Sequence, residues 1–110
     1  MSAVIVLCTC PDEAAAERVT SALIDERLAA CVNRICGIAS TYRWRGAVCR
    51  DDEVLLLIKT TSERFDAVRE RICALHPYEL PEVIALRVDA GSAPYLDWIE
   101  SCVRADARGA

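Results

Sequence analysis

One pattern occurs twice in this chain: a short run of consecutive apolar residues, then a helix start, then a second strand-like run. Val4-Ile5-Val6-Leu7-Cys8 opens the first unit and Val54-Leu55-Leu56-Leu57-Ile58 the second. Short runs unbroken by polar residues predict strands covered on both faces. Thr9-Cys10-Pro11-Asp12-Glu13 and Thr61-Ser62-Glu63 follow them, supplying capping oxygens and acids for a first helical turn. Ala15, Val19, Ala22 and Leu23 recur at helical spacing toward an end near Arg27 or Leu28, and Phe65, Val68, Ile72 and Leu75 do the same in the second unit. At an offset of 51, Leu7-Cys8-Thr9 overlies Ile58-Lys59-Thr60 and Val32 overlies Val83. The order βαβ-βαβ predicts an α+β, ferredoxin-like split sheet.

Ala30-Cys31-Val32-Asn33 opens a strand that runs on through Ile35 and Ile38. There Tyr42 and Trp44 alternate with Arg43 and Arg45 before a reversal at Gly46. The return strand spans Glu53 to Thr60, and Val83 to Val88 makes the last strand. An extra C-terminal helix covers Ala93 to Val103, and 104–110 reads as a frayed tail. The whole, 1–110, is one domain. Two long helices cover one sheet face and the last helix is too short to cover the other. A second subunit is therefore expected over the apolar remainder.

Net charge −4 and pI near 5.0, with Asp and Glu interspersed among the arginines, leave no basic stripe for nucleic acid. No apolar run approaches the roughly 20 residues that span a bilayer. Seven cysteines, an odd number, without a signal-peptide pattern, predict free thiols in a reducing cytoplasm. Cys8-Thr9-Cys10 lacks the second cysteine pair that a structural zinc site would need.

His76-Pro77-Tyr78-Glu79-Leu80-Pro81-Glu82 joins the second helix to the last strand and holds the only histidine. With Leu28-Ala29-Ala30-Cys31-Val32-Asn33, Ser40-Thr41-Tyr42-Arg43-Trp44-Arg45-Gly46, Glu53 followed by Ile58-Lys59-Thr60, and Tyr95-Leu96-Asp97-Trp98, it completes five blocks in register. In order and spacing these resemble the CutA divalent-cation tolerance family, from about Val4 to Trp98. The resemblance implies a cytoplasmic homotrimer of ferredoxin-like subunits, similar to the PII signalling proteins, tied to tolerance of copper and other divalent cations. It implies copper ligands at Cys8 and His76; the family's first histidine of a pair is Leu75 here. It carries over no enzyme activity and no organic cofactor.

A thiolate and an imidazole suit Cu(I) or Cu(II) over Mg or Ca. A third donor would come from Cys10, Glu79 or another subunit. The plainer alternative makes Cys8 core filling and His76 a cap on the second helix's carboxyl end. A small-molecule or anion cleft between subunits is the second reading, lined by Tyr42, Trp44, Glu53, Lys59, Tyr78, Glu79 and Trp98. Its plainer alternative is that Lys59 pairs with a carboxylate while Trp44 plugs a neighbour's groove. Catalysis would need His76 as base with Glu79 or Glu82, and the sequence offers no oxyanion site and no nucleophile beyond Cys8. The chain is read as a non-enzyme.

Overall fold

β1 (Ala3–Cys10) alternates half-buried and buried residues along its whole length, and that alternation organises the molecule. The structure, a computed structural model, describes residues 2–104; the expected tail lies outside them apart from Arg104. After β1 come α1 (Glu13–Asp25), β2 (Cys31–Trp44), β3 (Ala47–Thr61), a single 3-10 turn at Ser62–Arg64, α2 (Phe65–Leu75), β4 (Ile84–Arg87) and α3 (Ala93–Val103). The strands form one antiparallel sheet in the order β2-β3-β1-β4. This is the α+β ferredoxin-like arrangement, with α3 as the added helix.

Val6 and Cys8 of β1 and Leu56 and Ile58 of β3 meet Val19 and Leu23 of α1 and Val68 and Ile72 of α2, all fully buried. The opposite sheet face is the one expected to be fully covered. In the single chain it is only half-buried at Ile5, Leu7, Leu55 and Leu57, and half-exposed at Ile35, Ile84 and Leu86. α3 covers just one end of it, anchored by the buried Ile99 and Val103. The offset of 51 also needs correction, because it sets Cys8 on Lys59. In the ladder Cys8 pairs with Leu56, and Lys59 points away from the core. The repeat is one of element order; a one-residue slip moves a strand's whole apolar set to the other face.

β3 begins at Ala47, six residues before the expected Glu53, because the β2–β3 hairpin continues past the sheet as an arm. Its turn is Arg45-Gly46, both with positive φ (50° and 83°), the two-residue geometry that matches strand twist. A bulge between Ile35 and Ile38 inserts one residue into β2, and Gly37 takes φ 76° there. The arm makes the molecule 46 × 28 × 22 Å.

Asp12 caps α1, its Oδ1 accepting from the Ala15 N–H at 2.8 Å. The helix closes with Leu28 N–H donating to the Leu23 carbonyl at 2.9 Å, which forces Arg27 to φ 58°. A side chain in that left-handed conformation costs about 1 kcal/mol relative to glycine. Arg27→Gly is therefore expected to stabilise the protein by about 0.5–1 kcal/mol, read as a shift of the urea midpoint at unchanged slope.

Candidate metal centre and adjoining cleft

The last turn of α2 delivers His76 to the end of β1. Pro77 disfavours a helical conformation for the residue before it, and His76 duly leaves the helix with φ −76° and ψ 138°. Its ring is 7 % exposed and turns toward β1 rather than the α2 carbonyls. Nε2 lies 2.7 Å from the Thr9 carbonyl oxygen, and Nδ1 lies 3.1 Å from the Tyr78 backbone nitrogen. A carbonyl only accepts and a backbone N–H only donates, so the proton sits on Nε2. His76 is the C-cap of α2, its backbone N–H donating to the Ile72 carbonyl at 2.8 Å, while its ring pins β1 to the 76–82 connector. Neither partner is a carboxylate, so no base with an orienting acid is assembled.

Cys8 and Cys10 are two residues apart on a pleated strand and share its core face, both completely buried. With His76 they form a cluster whose donor atoms all lie within 4.8 Å of one another. Cys8 Sγ lies 3.9 Å from the Thr9 carbonyl oxygen; the neighbouring Cys10 thiol, then burial, push the Cys8 thiol well above its usual range, while Cys8 lowers Cys10. Bonds of about 2.3 Å to sulfur and 2.0 Å to nitrogen require donors roughly 3.5–4 Å apart. Donors within 4.8 Å of one another need at most a small contraction, so the set fits a soft ion. Ligation through Nε2 would also displace the Thr9 hydrogen bond and move its proton. Glu79 is not part of this cluster, and Leu75 packs against the hydrophobic core.

Beyond Thr9 the arm and the connector enclose a cleft of about 740 Å³. Of the residues expected at a cleft between subunits, Tyr42, Trp44, Glu53, Tyr78 and Glu79 line this one within a single chain. Lys59 and Trp98 do not. Lys59 lies six residues from Glu53 on the same strand face, roughly 20 Å at the usual rise per residue. It sits beneath α3, with Nζ 3.5 Å from the Tyr95 hydroxyl and 5.8 Å from that ring's centre. Trp98 stacks beside Tyr95 at 5.4 Å. Within one chain Lys59 therefore stands outside this cleft.

Within the cleft the Tyr78 hydroxyl donates to Glu53 Oε2 at 2.6 Å, and Tyr42 donates to Asp51. Burial, then the Glu53 carboxylate, pushes the Tyr78 phenol well up; Asp51's hydrogen bond, then burial, pushes Tyr42 up to about 12. Arg45, outside the set expected from sequence, also lines the cleft; its guanidinium lies 5.2 Å from the Trp44 ring centre and donates to both Glu79 oxygens at 2.8 and 2.6 Å. These partners are 34 residues apart, and no local spacing announces them.

A ferredoxin-like antiparallel sheet with a buried Cys-Cys-His cluster at the end of its first strand defines an α+β protein with a soft-metal donor set. The family model described as CutA1 divalent ion tolerance protein matches residues 4–102, and the chain belongs to that family. It is 50% identical over 95 residues to the Divalent-cation tolerance protein CutA of Thermus thermophilus, covering 86% of this chain and 92% of that protein. It is 48% identical over 91 residues to Protein CutA of Mus musculus, covering 83% of this chain but only 51% of the mouse protein, so it spans about half of that relative. The solved Cut A1 structure from Thermus thermophilus superposes with a TM-score of 0.91 at 47% identity, over 93% of this chain and 99% of that one. Neither the family description nor these names denote an enzyme.

Proposed function

We propose that this divalent-cation tolerance protein acts in the cytoplasm as a homotrimer that binds copper through Cys8 and His76, with Cys10 as third donor. The convergence of three buried soft donors within 4.8 Å carries this reading. Thiolates select Cu(I), the form copper takes in a reducing compartment, over the harder divalent ions. All seven cysteines are free thiols, which suits such a compartment. The half-bare apolar sheet face supports the assembly.

Competition with a Cu(I) chelator such as bathocuproine disulfonate tests the site. Cys8→Ser and Cys10→Ser are each expected to weaken copper binding by about tenfold or more. Wild-type affinity in both variants would sink the reading. A second reading, a small ligand held in the cleft, is favoured by one observation: Glu53 is a 7 % exposed carboxylate on its wall.

A further inference from the structure

We infer that the cleft between the arm and the 76–82 connector is a binding site for an organic cation bearing an ammonium or guanidinium head. The inference rests on the second reading above and names its ligand class; it uses none of the metal donors.

Glu53 supplies the first argument. A buried carboxylate is costly without a countercharge, and it offers about four acceptor positions. Here one oxygen takes the Tyr78 hydroxyl, and among the described residues no basic side chain pairs with the carboxylate. Glu53 lines the cleft and is 7 % exposed, so a ligand cation entering there comes beside a largely desolvated carboxylate. Glu82, also on the wall, makes no ion pair among the described residues. Arg45, the one basic side chain on the wall, is already bound to Glu79. The charge left over is negative, which disfavours phosphates and carboxylates as ligands.

The walls supply the second argument. Tyr42, Trp44 and Tyr78 all line the same space, and aromatic ring faces attract cations. Arg45 demonstrates the mode within the molecule, with its guanidinium over Trp44 and its donors on Glu79. A bare metal ion is the poorer occupant. Among the described residues the only triad of Cys, His or carboxylate donors in reach of one ion is Cys8, Cys10 and His76. Aromatic walls with separated carboxylates suit a cation that carries its own apolar body.

The test uses Trp98→Phe protein, in which Trp44 is the remaining indole of the chain's two. Agmatine and spermidine serve as cationic probes, with glutamate and adenosine monophosphate as anionic ones. The expected result is a saturable change in Trp44 emission with a cationic probe, weakened about tenfold or more by Glu53→Gln, which keeps an acceptor for Tyr78. Arg45→Ala, by freeing the Trp44 face and Glu79, is expected to tighten binding. Saturation by an anionic probe alone would overturn the cation assignment while keeping a ligand cleft. An equal response in Glu53→Gln would also overturn it. Silence from every probe would remove both the assignment and the reading beneath it.

Discussion

Leu86→Lys is expected to turn the proposed trimer into monomers at micromolar concentration, seen by sedimentation as a threefold loss of mass. Leu86 is 53 % exposed in the single chain, on the edge strand β4, directly opposite Ile5. With Leu7, Leu57 and the half-exposed Ile84 it continues the apolar face that α3 leaves open. Such an exposed position tolerates a lysine in the isolated chain, because the aliphatic stem lies along the sheet and the ammonium reaches water. In an assembly built on this face the same ammonium would be buried without a partner. Burying a leucine is worth about 1.5–3 kcal/mol, so each subunit forfeits roughly one to two factors of ten in association before the charge is counted. A monomeric wild-type protein, or a variant trimer of unchanged stability, would remove the proposed assembly.

That face was legible in outline because it follows from local pattern. Consecutive apolar residues and helix starts are read within a few positions, and they placed the strands and α3, whose expected bounds match the observed Ala93–Val103. What escaped the sequence depends on pleat and tertiary contact. The offset of 51 respected element order but mispaired faces at Cys8 and Lys59, since order does not fix a period of two. β4 is shorter than Val83 to Val88 because its ladder with β1 runs only from Ile84 to Arg87. Lys59 and Glu53 stand six residues apart along one strand face, roughly 20 Å, so the two reach one site only across a subunit boundary. Cys10 could be placed beside Cys8 by parity alone. The approach of His76, 67 residues from Thr9, could not.

His76→Ala is expected to destabilise the fold by about 3 kcal/mol, well beyond the effect of an ordinary surface change. The ring spans two backbone groups, accepting from the Tyr78 N–H and donating to the Thr9 carbonyl, at a position 7 % exposed. Truncation strands both partners, each at about 1–3 kcal/mol, and opens a cavity beside Cys8 and Cys10. Denaturant midpoints at a fixed protomer concentration measure the loss, which keeps any oligomerisation term constant. His76→Gln separates the pin from the ligand. Its amide can both donate to Thr9 and accept from Tyr78, so stability should largely return, yet an amide is a poor donor for a soft metal. Recovered stability without recovered copper affinity would assign His76 both roles. Recovery of both would leave the two thiols as the metal's holders and the imidazole as a structural pin. If His76→Ala leaves the midpoint unmoved, the ring does not join the end of β1 to the connector, and the cleft loses the contact that positions one of its walls.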